Sequence, residues 1–495
     1  MAILLQHFAA VLVILLLAGR IIHQLFFHPL AKFPGPFYTR VSYLAVCKWT
    51  LQGRWSHTIK ELHQRYGPVV RVGPNTLSFS TVHAARAIYG NKPLFLKNDM
   101  YDAFGSGLKG GPSGLFPEKD PEVHAELKRV FAPCFFEDEL RRQEPLVQKY
   151  VDLLVDRIEE HEVDKGGVDI NFWARAYVAD VISDLSFGEP FGSLADGAQH
   201  FWVKPLREKF IISAVFECCR RYPLLISVYW YLYSKFRRDE ALKLHQYASA
   251  RIKRHFELPP RADFISVVSN PRDSLKRLDL QVLRANLYGF LMGATETTSF
   301  AVTAALHFLA KHADAQKRLS DELHGSLAGY ESITMEALEN LSYLRAVIDE
   351  TLRMLPPSPV GGMRVSPGTL VEGSYIPDKT EVFSSYIAIS RSDSYFAKPD
   401  EFRPERWTDT HNSDIKGASL AFSLGPRNCI GRPLALLKVR LAIAKIIYRF
   451  EVATTSNTVL NLEEGSRHFG GPWVSPPVML KFRSRLAKAE VTKQE

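Results

Sequence analysis

A mainly helical fold with a minor β-sheet (α+β), preceded by a single N-terminal transmembrane helix, is what three patterns in the sequence predict. Apolar residues recur with the 3.6-residue helical period over Lys149 to Ile158, Leu280 to Lys311, Tyr343 to Leu355 and Leu434 to Tyr448. Strand-like alternation is short: Val69-Val70-Arg71-Val72 and Leu77-Ser78-Phe79 flank a Gly73-Pro74-Asn75 turn as a hairpin, and weaker β signals recur at Thr369 to Tyr375 and Thr380 to Tyr386. The third pattern is the chain start, where Met1 to Gly19 carry no charge and Phe8 to Ala18 are apolar without a break.

As a helix, Ala2 to Ile22 spans about 30 Å, enough to cross a hydrocarbon core. A cleaved signal peptide and a buried core helix are the alternatives. A missing basic n-region and unpaired cysteines stand against the first, and the extreme N-terminal position against the second. Arg20 and Lys32 follow the segment, which by the positive-inside rule leaves the rest of the chain on the cytosolic side. Pro29, Pro34 and Pro36 then stop any helix and make a stiff hinge. Beyond it no repeat, low-complexity tract or Gly/Ser linker divides the chain. The expected organisation is a membrane anchor over 1–28 and one domain over 29–495.

The 46% hydrophobic and 23% charged fractions of the 495 residues exclude a disordered, collagen-like or multi-spanning chain. The formal charge of +9 is spread without a long basic run, which argues against nucleic acid and for an anionic membrane surface or an acidic protein partner. The five cysteines, at 47, 134, 218, 219 and 429, form no C-x-x-C pair and are odd in number. They suggest a reducing compartment rather than a disulfide framework or a four-ligand zinc site.

Chemistry concentrates in Phe422-Ser-Leu-Gly425-Pro-Arg427-Asn-Cys429-Ile-Gly431, which runs directly into a helical pattern near Pro433. A cysteine just before a helix N-terminus favours thiolate, because the dipole and free N–H groups stabilise negative sulfur. Such a thiolate suits haem iron, with Gly425 and Gly431 letting the backbone pass close under a flat macrocycle and Arg427 pairing with a propionate. Taken alone, Cys429 also reads as a buried structural cysteine.

The five positions Phe422, Gly425, Arg427, Cys429 and Gly431 resemble the haem-loop signature of the cytochrome P-450 family, and further matches run from about residue 29 to the C-terminus. The anchor and the His28-Pro-Leu to Pro34-Gly-Pro hinge resemble microsomal members, fungal in style. The resemblance implies the P-450 fold and haem b held through the Cys429 thiolate. Glu350-Thr-Leu-Arg353 lies at i, i+3 on an amphipathic helix and by itself reads as a solvated ion pair. With Pro404-Glu-Arg406-Trp407 it resembles the family's buried Glu and two Arg that support the haem core, Trp407 standing where Phe is usual.

The long helix carries Gly293-Ala294-Thr295-Glu296-Thr297-Thr298, an acid and hydroxyls that are costly to bury. The threonines could simply bond back to carbonyls one turn earlier. The resemblance implies the oxygen-activation site, with Thr297 and Glu296 delivering protons to bound dioxygen. His124 and Lys128, at i and i+4, resemble the pair that reaches a haem propionate, with Arg129 as an alternative, and Arg364 resembles a further propionate contact. The corresponding substrate segments are Tyr101 to Phe116, Phe210 to Tyr233, Phe290, Val360 to Met363 and Phe469 to Gly471. The Tyr229 to Tyr233 run reads equally as membrane-interface material.

Only 64 residues follow Gly431, too few for flavin and nicotinamide domains, so electrons are expected from a separate NADPH-cytochrome P-450 reductase. Lys128, Arg129, Arg432, Lys438 and Arg440 read either as a basic docking face near the thiolate side or as a merely solvated face. The expected function is oxygen insertion from dioxygen into a lipophilic small molecule, at the endoplasmic reticulum membrane with the catalytic domain towards the cytosol. A rearranging, dehydrating or desaturating enzyme and a non-catalytic haem-dependent binder are the alternatives.

Overall fold

The computed structural model describes residues 1–90, 93–105, 113–161, 166–257, 259–269, 279–459 and 461–485. Helix α1 (Ala2–Ile22) belongs to an apolar stretch, Ile3–Phe27, of mean hydropathy 2.1 that buries nothing in the protein. It continues as one wider turn over His23–Phe27 and ends before Pro29. The hinge is docked rather than a free spacer. Arg71, fully buried, donates to the Gln24 carbonyl at 2.8 Å and the Gln24 side chain at 2.7 Å, and its own N–H donates to the Pro34 carbonyl at 2.7 Å.

Strands β1 (Val69–Gly73) and β2 (Thr76–Phe79) pair antiparallel as the alternation predicts, with an irregularity between Arg71 and Gly73. With β3 (Leu96–Lys97), β5 (Arg364–Val365) and β8 (Glu381–Ser384) they form a sheet of order β1-β2-β8-β5-β3, in which β2 and β8 run parallel. The Thr369 to Tyr375 signal is a hairpin of β6 (Thr369–Val371) and β7 (Ser374–Ile376). The Thr380 to Tyr386 signal is strand only as far as Ser384. There the Ser385 hydroxyl accepts from Ala388 N–H and caps a helical turn, Tyr386–Ser390. A second sheet joins β4 (Val168–Asp169), β12 (Met479–Ser484) and β9 (Phe450–Thr454), and β10 (Arg467–His468) pairs with β11 (Trp473–Val474).

The helices that position the site are α2 (Pro121–Phe131), α3 (Glu137–Glu160), α4 (Ile170–Phe187), α5 (Val203–Cys219), α6 (Pro223–Phe236), α7 (Arg238–His255), α8 (Leu280–Lys311), α9 (Ser342–Met354) and α10 (Arg432–Arg449). Helix α8 has the bounds its periodicity predicts, because the Asp279 carboxylate caps it by accepting from Gln281 N–H at 2.6 Å. Helix α4 has no apolar stripe to read. It lies in the interior, with Val178, Ala179, Val181 and Leu185 at 0% exposure, and a helix buried all round carries no amphipathic signal. Val302, Ala305 and Leu309 of α8 and Ile443, Ile446 and Ile447 of α10 belong to the same core.

A buried charge cluster joins this helical body to the sheet. At the end of α5, Arg220 and Arg221 meet Glu381 of β8 at 2.8 and 2.5 Å, and Asn98 donates to the same carboxylate at 2.9 Å. Burial works to raise the Glu381 carboxyl, but the charges of Arg221 and Arg220 outweigh it and hold the group down at about 2. A depressed folded-state value contributes stability that is present above the ordinary 4.5 and is lost as pH falls towards 2. Glu381→Gln should therefore cost about 2–3 kcal/mol at pH 7, since it leaves two buried arginines to share the single carboxylate of Glu217. It should also flatten the fall of Tm between pH 4.5 and 2. Thermal melts of both proteins across that range check this, and parallel curves would remove Glu381 as the acid-sensitive group.

Candidate active site

The loop before α10 is folded by its own backbone: Cys429 N–H donates to the Phe422 carbonyl at 3.0 Å and Asn428 N–H to that of Gly425 at 3.1 Å. Gly425 has φ +71, and a Cβ there would lie 1.8 Å from the Tyr89 carbonyl oxygen. The Tyr89 backbone by itself therefore requires glycine at this position. Gly431 caps α10, and its nearest obstacle would be the Phe135 ring at 3.9 Å, so no protein atom demands glycine there.

Cys429 is open to solvent on one side. The N–H groups of Gly431 and Arg432 and the charges of Arg432 and Lys128 act on its sulfur, as a helix N-terminus predicts. Withdrawal from bulk water by the surrounding protein outweighs them and pushes the thiol up. The helix terminus thus acts in the direction of thiolate, against the cost of desolvation, and a metal bound to the sulfur would act in the same direction.

Close to this loop lies a set of cations without carboxylate partners. Arg427 donates to the carbonyls of Glu118 and Lys119 at 2.6 and 2.9 Å, and Arg364, buried in β5, to the Tyr101 hydroxyl at 2.9 Å. Lys97 of β3 donates to the Phe116 carbonyl at 2.6 Å. Burial, then Arg427 and Arg364, pull Lys97 down to about 6. Burial, then Lys97, Arg427, Lys128 and Arg364, pull His124 down to about 3. None of Lys97, Lys128, Arg364 and Arg427 has an ion pair with a described residue. Mutually repelling cations held on carbonyls and a phenol are poised for a dianion, which fits the two propionates of haem as the Cys429 sulfur fits its iron.

His124 and Lys128 share a face of α2, but Lys128 turns to the loop, donating to the Pro426 carbonyl and Asn428 Oδ1 at 2.7 Å each. Arg129 is exposed. Lys97 was not among the expected residues; its only signal is one basic residue closing the apolar Leu94-Phe95-Leu96 run. Of the expected docking face, Arg432 is exposed and Arg440 half-buried, whereas Lys438 is 1% exposed. Burial lowers Lys438 to about 7, so it belongs to the interior behind Cys429 and not to a docking face.

Glu350 and Arg353 of α9 are fully buried, not a surface pair. The guanidinium grips the carboxylate in a fork at 2.8 and 2.9 Å, and Arg406 Nε and Trp407 Nε1 each add a bond at 2.9 Å. Trp407 in place of Phe thereby supplies a donor. Arg406 also pairs with Asp414, and Arg353 binds the carbonyls of Ser390, Pro399 and Glu401. Burial works to raise the Glu350 carboxyl, but bonding to Arg353 and the charges of Arg353 and Arg406 hold it below its usual range.

On α8, Thr297 is partly exposed and its hydroxyl donates to the Gly293 carbonyl at 2.6 Å. Glu296, 2% exposed, points to α4, where Arg175 Nε stands 3.1 Å from its carboxylate. Arg175 was not foreseen; a lone Arg within Trp173-Ala-Arg-Ala-Tyr177 is its signal. Of the expected substrate segments, Phe210, Phe104 and the Phe469–Gly471 turn come together, since a Cβ on Gly471 would touch the Phe210 ring at 2.3 Å. Phe290 packs against the rings of Phe131, Phe135 and Phe264 and stays partly exposed. Residues 106–112 of the Tyr101 to Phe116 segment lie outside the described residues.

A haem-ready thiol loop in a helical body with minor sheets defines a class of haem-thiolate enzyme, and comparison with known proteins gives it a family. The cytochrome P450 family model matches residues 33–482. The chain is 31% identical over 480 residues to the cytochrome P450 monooxygenase ORF9 of Penicillium roqueforti, covering 94% of this chain and 91% of that protein. It is 33% identical over 456 residues to BOA3 of Botryotinia fuckeliana, covering 88% of each, and 31% identical over 484 residues to prhB of Penicillium brasilianum, covering 94% and 96%. Both are also named cytochrome P450 monooxygenases. The chain belongs to the cytochrome P450 family. It is an enzyme of the monooxygenase type, and the family implies haem with cysteine thiolate ligation.

Arg353→Ala leaves Glu350 buried against one arginine and empties three carbonyl contacts. It should cost about 3–5 kcal/mol and leave little haem-loaded protein. Haem-to-protein ratio and thermal melts check this. Normal loading and an unchanged Tm would make the cluster dispensable.

Proposed function

We propose that this P450 inserts one atom of dioxygen into a lipophilic small molecule of fungal secondary metabolism, using electrons from a separate NADPH-cytochrome P-450 reductase. The observation that carries the reading is the Cys429 sulfur, under two backbone N–H groups, beside cations that lack carboxylates. Haem b, when bound, supplies an iron centre at which dioxygen is activated by added electrons. Cys429 is its ligand, and Gly431 and Arg432 N–H hold the thiolate charge. Lys97, His124, Arg364 and Arg427 hold the propionates.

Thr297 holds its hydroxyl proton on the Gly293 carbonyl and can exchange that bond for one to water or dioxygen on its open side. Glu296 reaches this face only by leaving Arg175, which makes it a gated proton source rather than a standing one. An acid and a hydroxyl at these positions favour oxygen insertion over rearrangement or simple binding.

The chain is read as an anchor over 1–28 and a catalytic domain over 29–495, held at the endoplasmic reticulum membrane and facing the cytosol. The solvent-exposed α1 and the Arg20 and Lys32 that follow it support this. So does α6, which buries none of its residues and exposes Leu224 by 84% together with Val228, Tyr231 and Phe236.

Under labelled dioxygen the product should carry one labelled atom; an unlabelled product would establish rearrangement instead. In the same assay Thr297→Ala should keep haem content and substrate-induced spectra, since alanine preserves the helix. Product per NADPH oxidised should fall by about 10²-fold or less, with hydrogen peroxide taking up the difference. Wild-type coupling would mean that Thr297 serves only as a back-bonded helix residue.

A further inference from the structure

Two free cysteines that are 171 residues apart in the sequence meet where the short helix Leu44–Leu51 packs against the C-terminal end of α5. Cys47 is half-buried and Cys218 is buried. The Cys218 thiol lies 3.8 Å from the Cys47 carbonyl oxygen, and the two thiols share a hydrogen bond. Cys218 thus faces this helix, whereas Phe210 of α5 turns to Phe104 and the Gly471 backbone.

The junction is held in place from both sides. Arg221, just beyond α5, lays its guanidinium 4.2 Å from the centre of the Tyr43 ring, at the start of the short helix, and pairs with Glu217 and Glu381. The surroundings also make the two sulfurs unequal. The hydrogen bond from Cys218 holds the Cys47 thiol below its ordinary range against burial, with Arg221 acting in the same direction and Glu217 against it. That bond and burial push Cys218 up. A half-buried sulfur with thiolate character beside a protonated second thiol is the arrangement that peroxides oxidise selectively. Cys134 is the contrast: it is fully buried, its nearest polar contact is the Phe264 carbonyl, and burial pushes its thiol up.

We propose that Cys47 and Cys218 form a peroxide-sensitive dithiol, in which Cys47 is oxidised and Cys218 resolves it into a disulfide joining the short helix to α5. The Cys47 sulfur attacks hydrogen peroxide: an S–O bond forms, the O–O bond breaks, and the departing hydroxide takes up the proton that Cys47 released. The Cys218 sulfur then attacks the sulfenic sulfur, an S–S bond forms, and the S–O oxygen leaves as water with the Cys218 proton. Two thiols and one peroxide become one disulfide and two waters. The site does not rest on the oxygen-insertion reading, because the oxidant is added peroxide and no residue of the haem site takes part.

The test is disulfide mapping on the haem-loaded full chain in lipid nanodiscs, treated with hydrogen peroxide at a dose that leaves the Soret band unchanged. Free thiols are then alkylated and the protein is digested with trypsin without reductant, which puts Cys47 on peptide 41–48 and Cys218 with Cys219 on peptide 210–220. The two peptides should appear joined, separate again with dithiothreitol, and carry fragment ions that place the bond on Cys218. Cys219→Ser should keep the link. Cys218→Ser should lose it and leave Cys47 as a sulfenic acid that dimedone traps. Any link through Cys134 should be at least about tenfold rarer. No joined peptides, a bond placed on Cys219, or a Cys134 link of equal yield would overturn the proposal.

Discussion

The buried Glu350 carboxylate is the interaction on which the rest depends. Between Ser390 and Ala421 the chain has little regular structure, yet it must deliver the Cys429 loop to a fixed place. Glu350 does this by collecting Arg353, Arg406, the Trp407 indole and Arg403 N–H, while Arg353 gathers the carbonyls of Ser390, Pro399 and Glu401. A carboxylate with that many charge-assisted donors offsets the cost of its burial, which a lone pair in the interior does not. The irregular segment is therefore held by charge in place of a hydrophobic face.

The cations around the loop follow the opposite logic. Arg364 and Arg427 rest on a phenol and carbonyls, and burial with their charges pulls Lys97 and His124 towards the neutral form, which a bound dianion would reverse. The thiol of Cys429 is likewise raised, not lowered, by its surroundings. Both strains are relieved by the same kind of ligand: a metal on the sulfur and a dianion among the cations.

Much of this was legible in the sequence, for physical reasons that also explain the gaps. Helix α8 could be bounded because Asp279 is a strong cap, and β1 and β2 because one turn joins two alternating runs. Helix α4 was invisible because it is buried on every side, and the β4-β12-β9 sheet because its strands lie far apart in the chain. At the site, the motif located Cys429, Arg427, Glu350 and Arg353. Lys97 and Arg175 escaped because a single basic residue in an apolar run does not announce what lies across the fold. Lys438 was misplaced for a related reason: helix periodicity does not reveal that a lysine faces inward. The helix terminus that favours the Cys429 thiolate can be read from sequence, whereas the desolvation that works against it depends on the tertiary surroundings.

The claim that Cys429 holds haem iron through sulfur is tested most directly by the absorption spectrum of the reduced, carbon monoxide-treated protein. Wild-type protein should show the red-shifted band that a thiolate ligand produces, and Cys429→Ser, which lacks the soft donor, should lose it. A Cys429→Ser protein with the band unchanged would contradict the account.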